Sequence, residues 1–196
     1  MDCAPLHRSG ALGSLFKVRL SKCGYTLVAK GVEGVDYARQ QHENKIYDRL
    51  QAIQGKHVPV CLGSIDFSPT VLLQQWRLQA LHVYELGWRP LFDCSKVHQA
   101  SGLVKEVTRI FKAVHRQGVF RRDAEACNIL YDAHRGTFMV VDFERAEFRG
   151  RQTLGAKCSN TQNRKRKRGV ALKREKDDFA RELDSALENV SRFAQH

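Results

Sequence analysis

Apolar and polar positions come in short blocks through the first part of the chain and settle into helical spacing further on. "SLFKVRL" (14–20) and "YTLVAK" (25–30) are short runs rich in β-branched and aromatic residues, with "SKCG" as a tight turn between them. They read as two strands. From about 36 to 54 the spacing changes, and Ile46, Tyr47, Leu50 and Ile53 fall on one face of a helix. "VPVCLGSIDF" (58–67) and "LHVYELG" (81–87) return to strand-like runs. The clearest helix covers about 97–117, where Ala100, Leu103, Val104, Val107, Ile110, Phe111 and Val114 recur at three- and four-residue intervals. Gly118 is placed to end it. "NILYD" and "FMVVDF" flank the turn "AHRG", the pattern of a β-hairpin. Apolar positions thin out from 149 to about 174, which predicts a flexible linker. "REKDDFARELDSALENVSRF" (174–193) then reads as a last helix with the stripe Phe179, Leu183, Ala186, Leu187 and Val190. Its acids lie near the start, where they suit the helix dipole. The sum is an α+β chain.

Composition changes this picture little. The length of 196 residues suits one domain or a compact two-lobed one. The formal charge is +12, and much of the excess sits in "NRKRKRGVALKREK" (163–176). Such a balance favours anionic partners. The run Arg164–Arg168 reads as a solvated linker or a signal for a nuclear import receptor. Nucleic acid is a less favoured partner, because few aromatics interleave with the run to stack on bases. The six cysteines are scattered without a CxxC pair or a histidine at ligand spacing, so no zinc site is expected. They read as reduced thiols of an intracellular protein, cytoplasmic or nuclear or both. "MDCAPLHRSG" lacks the apolar core of a secretory signal, and no run reaches the roughly 20 apolar residues of a membrane span.

A few polar residues stand where the apolar pattern does not want them. Lys30 ends the strand "TLVAK". Glu43 precedes Ile46, Tyr47 and Leu50 by three, four and seven positions, so it shares their face. A carboxylate there needs a partner, since an unpaired buried charge is very costly. An ion pair with Lys30 would satisfy both. Asp142 ends "FMVV", while Asp123 and Asn128 bracket the turn before "NILY". The hairpin brings Asn128 and Asp142 toward one end of a sheet. Acids and an amide oxygen are hard ligands suited to Mg²⁺ held together with nucleotide phosphates. Each of these residues alone could be a turn-former or a strand end.

Their order carries more than any one of them. A Gly/Ser turn, a strand ending V-A-K, a helix with an inward Glu, a long helix, R-D-x-x-x-x-N, a hairpin and D-F resemble the protein-kinase signature set. More narrowly, "GVFRRDAEACNIL" (118–130), "VVDFERAEF" (140–148) and "ENKIYDRLQAIQGKHVPVCLG" (43–63) resemble short fungal kinase-like proteins with a D-F-E-R metal loop and a truncated C-terminal lobe. The resemblance covers about residues 9–148. It implies a protein kinase-like two-lobed fold, with a small antiparallel sheet lobe carrying one helix and a shortened, mainly helical lobe. The implied division is a nucleotide-binding lobe with hinge (1–93), the catalytic and metal loops (94–148), a basic linker (149–174) and a C-terminal helix (175–196). It implies an ATP-dependent phosphotransferase using Mg²⁺, whose acceptor is a protein Ser/Thr or a small molecule. A nucleotide-binding module without turnover is the alternative. Gly10, Gly13 and Ser14 of "SGALGS" would cover the phosphates, and "LHVYELG" would be the hinge strand. Lys30, held by Glu43, would contact the phosphates; Asn128 and Asp142 would bind Mg²⁺; Asp123 would accept the acceptor's proton.

Three departures shape further expectations. Arg121 stands where a histidine usually braces the catalytic loop. Glu144 stands where most kinases have glycine after D-F, and it adds a carboxylate beside the metal site. The chain begins almost at the glycine turn, which predicts little room for a strand before it.

Overall fold

The computed structural model describes residues 2–10, 13–19, 21–22, 24–33, 36–67, 76–82, 88–91, 102–149 and 178–192. Five strands form one antiparallel sheet: β1 (Asp2–Gly10), β2 (Gly13–Arg19), β3 (Thr26–Glu33), β4 (Val60–Phe67) and β5 (Trp76–His82), in the order β1-β2-β3-β5-β4. The expectation of little room for a strand before the glycine turn is corrected here: β1 fills nine residues. β1 pairs with β2 from Asp2↔Arg19 to Gly10↔Gly13, so Gly10 and Gly13 close the tip end of a β-hairpin. The sequence "DCAPLHRSG" lacks alternation and holds a proline. Proline is tolerated in an edge strand, where it need not donate to a ladder, and β1 is at the edge of this sheet. The fifth strand runs over 76–82, five residues earlier than the apolar run at 81–87 suggests. The hinge assignment to "LHVYELG" therefore falls largely on 83–87, outside the described residues.

Helix α1 (Tyr37–Arg49) crosses the sheet lobe and stops earlier than the spacing suggests, giving way to a single 3-10 turn at Gln51–Ile53. Ile46, Tyr47 and Leu50 are nevertheless fully buried, with Ile53 packed beside them. They join the core of the second lobe rather than that of the sheet. That core gathers Leu103, Val107, Ile110, Phe111 and Val114 of α2 (Leu103–Arg116) with Ile129, Val140 and Phe143. Val104, expected in the α2 stripe, faces outward at 48% exposed. Gly118 takes φ 73° after α2 and its N–H donates to the His115 carbonyl, the left-handed ending that glycine makes cheap.

The hairpin at 129–140 is as the pattern predicts. β8 (Ile129–Asp132) pairs with β9 (Thr137–Val140), and Asp132 Oδ1 accepts the N–H groups of His134 and Arg135 in the turn. Two short pairings are not visible in the sequence: β6 (Trp88–Pro90) joins β8, and β7 (Val119–Phe120) pairs with β10 (Glu147–Phe148). The last helix, α3, spans 178–192 and buries Ala186 and Val190 in the main core. It is part of the second lobe, which is a shortened helical lobe around α2. No helix among the described residues is long and apolar enough to cross a membrane. The basic run 164–168 lies outside the described residues.

Candidate active site

Lys30 lies inside β3, which continues three residues past it to Glu33 rather than ending there as the sequence suggests, and it pairs across the sheet with Leu15, one residue from Ser14. The glycine hairpin tip is therefore at the same end of the sheet as the lysine. Its ammonium donates to Glu43 Oε2 at 3.1 Å, to Asp142 Oδ1 at 3.2 Å and to Glu144 Oε2 at 3.2 Å. The expected Lys30–Glu43 pair is present, and the lysine also reaches two acids more than a hundred residues away. Glu43 is 2% exposed, and its second oxygen, Oε1, accepts the Phe143 N–H at 3.1 Å. One carboxylate on α1 thus fixes both the lysine of the first lobe and the backbone of the metal loop in the second.

The electrostatics follow from that crowding. Burial pulls the Lys30 pKa down, but Glu43, Asp142 and Glu144 more than reverse this, so the ammonium is held above its ordinary value. Burial pushes the Glu43 carboxyl up, and Lys30 and the Phe143 N–H pull it only part of the way back. Tyr47, in the core beside them, is raised by burial as well.

The loop at 121–128 is shaped from behind. Arg122 and Asp142 are the only non-glycine residues of positive φ among those described, at 61° and 64°. Such angles cost on the order of 1–3 kcal/mol and persist only where surroundings over-determine them. Here the surroundings are specific. Arg121 is fully buried, and its Nη2 donates to the Val141 carbonyl at 2.6 Å and the Asp142 carbonyl at 3.2 Å. Its guanidinium lies over the rings of Phe111 (5.6 Å) and Phe143 (5.2 Å). A long cation at position 121 therefore ties the loop at 121–128 to the segment at 141–142. Burial lowers the Arg121 pKa, opposed by Glu182, Asp123 and Asp142.

Asp123 and Asn128 lie on the loop that Arg121 ties to residues 141–142. Asp123 is oriented by the Glu125 N–H, which donates to its Oδ1 at 3.3 Å, and Arg145 Nη1 stands 4.0 Å from its Oδ2. The Asn128 carbonyl accepts the Val141 N–H at 2.9 Å, which places Asn128 beside the segment that leaves β9 and leads into Asp142. The structure thus brings Lys30, Glu43 and Asp142 into direct contact, and sets Asn128 and Asp123 on the adjoining loop.

Three participants were not found from the sequence. Glu182 of α3 is buried; its Oε1 accepts the Arg122 N–H at 2.6 Å and its Oε2 meets His115 Nε2 at 2.7 Å. His115 lies against the Phe179 ring at 4.5 Å. Asn189 Nδ2 donates to the Ala124 carbonyl at 3.1 Å. Helix α3 therefore grips the backbone on both sides of Asp123. The available signal was weak: Glu182 adjoins Leu183 and precedes Ala186 by four, so it edges the apolar stripe as Glu43 edges that of α1.

Among the described residues, no three of His, Cys, Asp and Glu converge to cage a metal by themselves. A magnesium ion needs no such cage, because it is held by one or two carboxylates plus phosphate oxygens. Asp142 and the amide of Asn128 fit that donor set.

Comparison with known proteins agrees with this geometry. The chain is 32% identical over 139 residues to the meiotic driver SPOK2 of Podospora anserina, an alignment covering 71% of this chain and 17% of that protein. The model of the lipopolysaccharide kinase (Kdo/WaaP) family matches residues 77–179, more than half of the chain and the stretch holding the segments at 121–128 and 141–144. With a kinase-like two-lobed fold, a lysine bridged to acids of both lobes and this match, the chain belongs to the lipopolysaccharide kinase (Kdo/WaaP) family.

Proposed function

We propose that the protein binds ATP with Mg²⁺ and transfers the γ-phosphoryl group to a hydroxyl acceptor. The observation that carries this is the single cluster in which Lys30 meets Glu43 at 3.1 Å and Asp142 at 3.2 Å. Lys30 would hold the α- and β-phosphates, kept in place by Glu43. The hairpin tip with Gly10, Gly13 and Ser14 would offer backbone N–H groups to the phosphates. Mg²⁺ on Asp142 and Asn128 would neutralise charge on the phosphate oxygens. Asp123 would take the proton of the acceptor hydroxyl as its oxygen bonds to the γ-phosphorus. The bond from that phosphorus to the bridging oxygen breaks, and ADP leaves with the electron pair. The nucleotide falls to residues 1–93 and the loops to 94–148.

The acceptor is a protein Ser/Thr side chain or a small-molecule hydroxyl. Incubation with labelled ATP and Mg²⁺ tests the proposal, with transfer or ATP turnover expected above an Asp123→Asn control. MgATP binding without turnover would instead mark a nucleotide-binding module. Arg164–Arg168 is proposed as a contact for a nuclear import receptor; fusion of that segment to a cytosolic reporter should move the reporter into nuclei.

A further inference from the structure

Glu144 stands where the kinase pattern has glycine, yet its side chain is only 9% exposed and its Oε2 lies 3.2 Å from the Lys30 ammonium. The left-handed backbone at Asp142 brings Asp142 and Glu144 to the same lysine, while Phe143 goes into the core against Tyr47, with ring centroids 5.3 Å apart. The three carboxylates around Lys30 are not used alike. Glu43 commits both oxygens, to Lys30 and to the Phe143 N–H. Asp142 and Glu144 each commit one, and neither Asp142 Oδ2 nor Glu144 Oε1 has a partner among the described residues.

Two consequences follow from elementary chemistry. An ammonium has three N–H donors, and all three of Lys30's are directed to carboxylates. Phosphate can therefore reach Lys30 only if a carboxylate lets go. Glu43 is the costly one to release, being buried and tied to the metal loop, so Asp142 and Glu144 are the ones displaced. One ammonium shared by three carboxyl groups also leaves the cluster short of positive charge, and a triphosphate adds more negative charge. Two freed carboxylates beside a triphosphate repel it unless a divalent cation joins them.

We propose that Glu144 is a second carboxylate ligand of the divalent metal, acting with Asp142 once the nucleotide takes Lys30. This rests on the MgATP function proposed above and adds a residue to its metal site. The test is equilibrium binding of the non-hydrolysable β,γ-imido analogue of ATP to the full chain, in saturating Mg²⁺ and in EDTA. Glu144→Gln, which keeps the shape and removes the charge, is expected to weaken binding in Mg²⁺ by at least about ten-fold, the scale on which metal sites respond to altered ligation. In EDTA it is expected to leave binding unchanged or tighter, because Lys30 is less restrained. Glu144→Asp keeps the charge and is expected to retain more of the Mg²⁺-dependent affinity. Unchanged binding of Glu144→Gln in Mg²⁺, equal weakening in both media, or equal loss for both variants would overturn the role of Glu144 while leaving the phosphotransferase function standing. Failure of the unaltered protein to bind the analogue in either medium would overturn both.

Discussion

Two buried glutamates, Glu43 on α1 and Glu182 on α3, do the same mechanical job from opposite ends of the chain. Each gives one oxygen to a backbone N–H of a functional loop, Phe143 for Glu43 and Arg122 for Glu182. Each gives the other to a side chain, Lys30 and His115 respectively. The surroundings of those side chains differ. His115 lies between the rings of Phe179 and Phe111, and its Nε2 meets Glu182. Lys30 is shared with two further acids whose remaining oxygens have no partner among the described residues. One brace joins a helix to a loop inside the core; the other gathers several carboxylates on one lysine, which suits the exchange of partners proposed above.

The sharpest way to separate chemistry from bracing is Asp123→Asn. It touches neither glutamate, so phosphoryl transfer should fall by about 10²–10⁴-fold while the denaturation midpoint stays near that of the unaltered protein. A matching loss of stability would mean that Asp123 belongs to the brace.

Next in size is Lys30→Met. Breaking a buried pair costs roughly 3–5 kcal/mol, because the partner is left uncompensated. Urea denaturation reads this directly. The pH dependence has a definite sign. The folded pKa of Lys30 is raised, so its contribution is fully present below the ordinary lysine value of 10.5 and is lost as pH rises through the folded value above it. The gap between the two proteins should hold across neutral pH and close only in strong alkali. A gap that closes near pH 7 would contradict the assignment.

Glu182→Ala tests the second brace. Charge-assisted hydrogen bonds contribute about 1.5–3 kcal/mol, so a loss of that order is expected, with turnover falling further than the folded fraction does. Glu182→Gln can still accept the Arg122 N–H and should lose less. Equal damage from both variants would show that the His115 contact matters more than the loop contact. The smallest effect belongs to Arg122→Ala. Its pair with Glu147 is surface-exposed, at 56% and 39%, and should contribute no more than about 1 kcal/mol by urea denaturation.

Much of the site was legible because its residues violate the local pattern. Glu43 on an apolar face demanded a partner, and Lys30, unremarkable by itself, supplies it. The α1, α2 and hairpin segments were legible for the ordinary reason that burial follows periodicity. What escaped were features without a local signature. β1 has no alternation because it lies on the sheet edge, and β6, β7 and β10 are too short to show any. The role of Arg121 was unreadable because an arginine's environment is set by what folds over it, here two rings and two carbonyls from distant segments.

The amino-acid order alone determined the class of fold, the helices that carry the core and the candidates for chemistry, since these depend on spacing within a few turns of chain. Only the tertiary structure decided that Lys30 would answer to three carboxylates rather than one, and that a helix some sixty residues past Asp123 would hold its loop. Charges and backbone donors that meet across such separations are matched by geometry in space, and periodicity along the chain carries no record of it.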